Sequence, residues 1–187
     1  MGKHIEQTSL TRQSIVDSFW KLAERDGIKK ISVSAVTKTA GINRSTFYEY
    51  FTDMEDLIDS VESAITEELK VLIGGLYVKY NLNCSHRDLA KALIPYYDRL
   101  ALILGEDGDK RFLSKIQIEA VKLFTAVAEN HDPFIEYEIV YVVSAFIGFL
   151  TYWHETGRRL SEDDFTELFH TLSIKGLSAQ CTNAENM

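Results

Sequence analysis

The sequence is poor in residues that punctuate or staple a chain. Two prolines and ten glycines in 187 residues are too few for the closely spaced turns of a β-sandwich or barrel. Two cysteines, Cys84 and Cys181, lie far apart and make neither a disulfide framework nor a C-x-x-C metal or redox motif. The longest apolar run, about Ile139 to Trp153, contains Tyr141, Ser144, Thr151 and Tyr152 and falls short of the roughly 20 residues that a membrane helix needs. The opening MGKHIEQTSLTRQ has no apolar stretch behind its positive charges, so it does not read as a secretion signal. These absences lead to the expectation of a cytoplasmic protein without a membrane partner.

Catalytic and cofactor signatures are missing too. There is no P-loop, G-x-G-x-x-G or Ser-His-Asp arrangement. Gly105 and Gly108 lie within the acidic GEDGD, which repels phosphate. His4, His86, His131, His154 and His170 show no i, i+4 pairing with a carboxylate that would hold a metal, and His154 and Glu155, being adjacent, face different sides of a helix. The expectation is therefore no enzyme, no cofactor and no metal.

What the chain has is helical patterning. Ile15, Phe19, Leu22 and Ala23 share one face of a helix over about 11–25, with Thr8 or Thr11 as its cap and Gly27 as its stop. Ser32 is placed to cap a second helix, Val33 to Thr39, and Asn43 a third, Arg44 to Tyr50. Asp53, reinforced by Asp56, starts a fourth with apolar positions at Leu57, Ile58, Val61, Ile65, Leu69 and Leu72, ending at Gly74-Gly75. Further helices are expected over about 87–104, 109–129, 133–156 and 162–178. The fold class is all-α.

The net charge of −8 conceals an asymmetry. Residues 1–52 carry eight Lys/Arg against five Asp/Glu, a surplus of +3, and the rest carries 12 against 23, a deficit of −11. A polyanion needs only a local basic face, so the asymmetry permits nucleic-acid binding by the first fifty residues and argues against it elsewhere.

The informative stretch is ISVSAVTKTAGINRSTFYEYF, residues 31–51. A helix-turn-helix needs a turn residue that accepts positive φ, supplied by Gly41, and inward apolar residues, supplied by Val36, Ala40, Ile42 and Phe47. Asn43, Arg44, Ser45, Thr46, Tyr48 and Tyr50 remain to face outward, where the second helix can enter a major groove.

In Ser32-Val33, Val36-Thr37, Ala40-Gly41-Ile42-Asn43, Thr46-Phe47-Tyr48, Tyr50-Phe51, Glu55 and Leu57 the sequence resembles the TetR family of transcriptional regulators over about residues 11–58. The resemblance implies an N-terminal three-helix DNA-binding domain over 1–53 and a helical effector-binding and dimerisation domain over 54–187. It implies base contacts from Ser34, Arg44, Ser45 and Thr46, with phosphate or thymine-methyl contacts from Tyr48 and Tyr50. Ser32 and Asn43, at the two helix starts, complete the DNA-facing set. The plain alternative for each is a solvated polar residue. Two positions depart from the family pattern. Thr37 stands where a small Ala is usual, so its hydroxyl must find a backbone carbonyl. Met54 stands where a Lys usually meets phosphate, leaving that contact to the fourth helix's N–H groups.

The implied function is a homodimeric repressor released from a palindromic DNA operator by a small apolar or aromatic effector. The alternative is a co-activator or regulator of the same fold controlled by a protein partner. Tyr97, Phe112, Tyr141 and Phe146 are the expected effector-lining residues, set against the plainer reading of core aromatics. Asp98, Glu119 and Glu138 would suit a cationic effector or are solvated charges. The expected dimer interface uses Ser144, Ala145 and Gly148 for close helix approach, with Phe165, Leu168, Phe169 and Leu172 as an apolar stripe.

Overall fold

The computed structural model describes residues 2–79, 85–106, 108–127 and 134–175. The expectations attached to Cys84, Cys181 and His131 fall outside them. Among the described residues the regular structure is helical: α1 (Gly2–Asp26), α2 (Val33–Ala40), α3 (Arg44–Tyr48), α4 (Met54–Lys79), α5 (His86–Leu93), α6 (Tyr97–Leu104), α7 (Lys110–Val127), α8 (Ile135–Glu155) and α9 (Glu162–Lys175). Single 3-10 turns lie at Ile28–Lys30 and Ile94–Tyr96.

Three elements differ from expectation for local reasons. α1 begins well before Thr8 and Thr11, which sit inside it rather than capping it. A mid-helix threonine costs only a few tenths of a kcal/mol, less than the anchoring of Ile15, Phe19 and Leu22 in the core contributes. α4 runs through Gly74 and Gly75 to Lys79. Each glycine costs about 1 kcal/mol, and the buried stripe of Leu57, Val61, Ile65 and Leu69 holds the preceding turns. The single helix expected over 87–104 is broken at Pro95, whose ring forbids the helical hydrogen bond. A 3-10 turn there redirects the chain from α5 into α6.

α1, α2 and α3 pack together at the N-terminal end, and α4 leads from them into a body in which α7 lies on α8, α6 on α8 and α5 on α9. One continuous apolar cluster joins the two ends. Ile15, Phe19, Val36, Phe47, Phe51 and Leu57 fill the N-terminal part. The body is held by aromatics around the fully buried Phe165, whose ring centroid lies 4.8 Å from Trp153, 4.9 Å from Phe149 and 5.4 Å from Tyr97. Tyr97 donates its hydroxyl to the Ala90 carbonyl at 2.7 Å, and burial pushes its phenol well above the usual tyrosine range. A buried hydroxyl without that partner would cost about 1–3 kcal/mol.

α8 is, among the described residues, the one helix long and apolar enough to cross a membrane by length and composition, longer than the short run read from the sequence. Its inner face, with Phe146, Ile147, Leu150 and Trp153, is buried, while Tyr137, Tyr141 and Tyr152 on the outer face are 75%, 63% and 65% exposed.

Candidate nucleic-acid interface

The candidate interface is built from α2 and α3. Ser32 opens α2, its Oγ accepting from the Ala35 N–H at 3.3 Å. Gly41 ends it in the left-handed region, φ 68° and ψ 30°, a conformation that side-chain-bearing residues adopt at a cost. The Ile42 N–H then donates back to the Thr37 carbonyl at 3.0 Å, closing the turn. Thr37 is buried, and its hydroxyl donates to the Ser34 carbonyl at 3.2 Å. The family-atypical threonine is thus satisfied inside its own helix.

α3 is five residues long and is positioned from beneath. Phe47 is fully buried, its ring 5.7 Å from Phe51 and 5.6 Å, edge-on, from Tyr48. The Arg12 guanidinium lies over the Phe51 ring at 5.2 Å and donates to the Ser60 hydroxyl, tying α1 to the start of α4. With Phe47 inward, the opposite face of α3 turns to solvent. Ser32, Ser34, Asn43, Arg44, Ser45 and Tyr48 are exposed, and Thr46 and Tyr50 are half-buried. All eight are therefore at least partly open to solvent. Asn43 makes no side-chain cap bond, α3 being capped through backbone alone, so its amide is unused there.

Two cations on this surface are free of ion pairs, as few of those in the body are. Among the described residues no carboxylate pairs with Lys38 or Arg44, whereas Lys70, Arg87, Lys91, Arg111, Lys115, Lys122 and Arg158 each pair with one. A phosphate or base edge can meet an unpaired cation without first breaking an ion pair. The N-terminus of α4 behaves otherwise. The Asp53 carboxylate accepts from the Asp56 N–H at 2.9 Å, and Asp56 accepts from the Thr52 N–H at 2.8 Å. With Glu55 beside them, carboxylates occupy the positions where the helix's N–H groups were expected to meet a phosphate, so this end repels one.

The body residues singled out from the sequence do not converge. Tyr97 and Phe146 pack on each other at 5.8 Å inside the aromatic core. Phe112 is buried beside a separate cleft between α4 and α7. Tyr141 stands on the outer face of α8. The four thus line no common cavity among the described residues: Tyr97 and Phe146 fill each other's space, and of the four only Phe112 borders the α4–α7 cleft. The expected dimer stripe divides as well. Phe165 and Phe169 are buried within the chain's own core, against Tyr97 and Phe146, and Leu168 and Leu172 are half-buried. Ser144 accepts from the Gln117 side chain at 2.9 Å and donates to the Val140 carbonyl, so it faces α7. Ala145 and Gly148 remain exposed.

This geometry defines a helix-turn-helix protein. Residues 15–61 match the family model described as bacterial regulatory proteins, tetR family, and no curated protein matches the sequence. The fold resembles a TetR transcriptional regulator from Streptococcus agalactiae 2603V (TM-score 0.61, 20% identity, 91% of this chain and 97% of that one). It also resembles the dihydroxyacetone kinase operon activator DhaS (0.58, 19%, 90% and 97%). A third likeness is the fatty acid degradation regulator FadR from Bacillus halodurans (0.62, 16%, 89% and 96%). The N-terminal module is the DNA-binding module of the TetR family, and the fold around it is that of TetR-type transcriptional regulators.

Proposed function

We propose that the protein is a homodimeric repressor that reads a palindromic operator with α2 and α3 and releases it when the body, residues 54–187, binds a small effector. The observation that carries the DNA-binding half is the surface of α3: Arg44, Ser45 and Tyr48 stand exposed on a helix locked by Phe47, with Lys38 and Arg44 unpaired. Arg44 is suited to guanine O6 and N7, and Tyr48 and Tyr50 to phosphate.

The dimer half rests on α8. Tyr137, Tyr141, Ala145, Gly148 and Tyr152 follow one another at helical spacing on its exposed face, an apolar stripe that water alone would leave costly. Small residues at its middle let a second helix approach, and a twofold axis there would place two α3 helices for two half-sites. The tyrosine hydroxyls, and Glu136 and Glu138 in the first turn, fit a protein partner better than hydrocarbon.

Nuclease footprinting on DNA flanking the gene tests the reading. A protected inverted repeat, with affinity falling steeply as salt rises, is the expected result; no protection, or an affinity indifferent to salt, refutes it. A second reading, activation, is favoured by the likeness to an operon activator. Transcription reconstituted on the protected fragment separates the two by the sign of the response, and a requirement for a second protein would identify co-activation.

A further inference from the structure

The carboxyl group of Glu62 is the least expected buried group in the body. It lies on α4, 1% exposed, between the core positions Val61 and Ile65. The Lys115 ammonium, reaching from α7, donates to its Oε2 at 2.9 Å, while its Oε1 has no hydrogen-bond partner. The Thr66 hydroxyl, one turn further along α4, donates to the Glu62 backbone carbonyl at 2.8 Å. Burying an unpaired acceptor on a charged group is expensive, and burial pushes this carboxyl above the usual glutamate range despite Lys115.

Glu62 also walls a cleft of about 360 Å³ between α4 and α7, with Ser63, Thr66, Phe112, Lys115 and Ile118. That is the lower end of the range in which ligand pockets fall, about 300–1,000 Å³. The cleft's cations are already engaged. Lys115 bonds Asp59 and Glu62 at 3.1 and 2.9 Å, Lys70 bonds Glu67 and Glu119 at 2.9 and 2.5 Å, and Lys122 bonds Glu119 at 2.7 Å. Of the residues that line the cleft, three carboxylates, Glu62, Glu67 and Glu119, thus face two ammonium groups, Lys70 and Lys115, and one oxygen of Glu62 is without a partner. An anion would find no free cation here and a neutral ligand would leave the charge uncompensated.

We infer that the α4–α7 cleft binds a small organic cation with a flat or apolar flank, which takes the place of the Lys115 ammonium to reach the enclosed Glu62 carboxylate, its flank lying between Phe112 and Ile118. The inference rests on the reading of the body as effector-binding and gives that effector a place and a charge. The place is also mechanically apt. Glu55–Arg111 and Asp59–Lys115 tie the same two helices closer to α3, so a guest competing for Glu62 shifts α4, the helix that continues from the reading head.

The test uses the full chain with benzamidinium as probe and benzamide and benzoate as neutral and anionic controls of similar shape. Expected is a saturable rise in melting temperature and calorimetric binding for benzamidinium, weaker by about tenfold or more for benzamide, as the loss of one charge-assisted hydrogen bond implies, and absent for benzoate. Glu62→Gln should lose the same factor while melting near the wild type. Ser63→Trp, at an exposed position, should block the cleft without touching the core. Benzoate binding as well as benzamidinium, or undiminished benzamidinium binding in both variants, overturns the assignment. Operator affinity is measured in parallel. Cation binding that leaves DNA untouched upholds the site and refutes effector control. Release of DNA from the Ser63→Trp variant by some other compound does the reverse.

Discussion

Replacing Gly41 by alanine isolates the turn that aims α3. At φ 68° an L-residue is strained by about 1–2 kcal/mol, while alanine's smaller unfolded-state entropy returns about 0.4–1 kcal/mol. A Cβ added at Gly41 meets nothing within 4 Å, so no packing term enters and the net loss should be about 1 kcal/mol. Gly157 provides the matched control: φ is 80° and its added Cβ also meets nothing within 4 Å, but it closes α8, far along the chain from the reading head. Gly157→Ala should therefore lose a similar amount in urea unfolding and leave operator affinity alone. Gly41→Ala should additionally weaken the operator, by up to about tenfold if strain of some 1.4 kcal/mol is relieved by reorienting α3. Gly41→Asn, which tolerates this region better, should fall between. Equal stability of Gly41→Ala and wild type would refute the strain argument. Equal DNA defects in the two alanine variants would refute the role given to the turn.

Arg44→Ala should relax preference at particular base pairs by about 1–3 kcal/mol per lost bidentate contact, whereas Tyr48→Ala should weaken all operators alike; base-substitution scans by fluorescence anisotropy distinguish the two patterns. Ala145→Asp, on the exposed face of α8, should yield folded monomers in sedimentation, while Phe169→Asp, inside the protomer, should unfold the body, and a folded monomeric Phe169→Asp would return the interface to α9. Burial, with the charge of His170, lowers the pKa of His86, so the unfolded chain takes up the proton first. This contribution is complete above the ordinary histidine value of about 6.5 and is lost as pH falls from there towards the lower folded value. Urea midpoints should decline over that window, and a His86→Gln variant with the same decline would remove His86 as its source.

The reading head was legible because its determinants are local. Ser32, Gly41 and Phe47 each act within a few residues of their own positions: a cap, a positive φ, an inward ring. The body was legible as helices but not as surfaces. α8 is apolar around most of its circumference, so periodicity cannot say that Phe146 turns inward while Tyr141, five residues earlier, turns out. Phe165, Leu168, Phe169 and Leu172 are spaced to share one face of α9, but only the aromatic cluster in three dimensions decides that Phe165 and Phe169 bury in the chain's own core. Pro95 carried its signal openly. So did Glu62, which lies four residues after Ile58 and three before Ile65, inside the apolar stripe of α4, where a charge is out of place.

The junction between the N-terminal helices and the body bears on the proposed response to an effector. The core is continuous through Leu57, Val61 and Ile65, so the two parts cannot separate. Around that spine the contacts are of another kind: Arg99 over the Trp20 ring at 5.2 Å, Lys29 on the Glu106 carbonyl at 2.9 Å, Arg111 on Glu55 at 3.2 Å and Lys115 on Asp59 at 3.1 Å. Exposed ion pairs of this sort contribute about 0–1 kcal/mol each and cation–π contacts about 0.5–1 kcal/mol. An effector typically supplies a coupling of about 1–3 kcal/mol between two sites. The polar contacts that orient the head thus match in size what one bound molecule can supply, whereas the apolar spine, whose single side chains each contribute about 1.5–3 kcal/mol, exceeds it in total. The ligand proposed for α4 and α7 would therefore have the strength to redirect the head and not the strength to detach it.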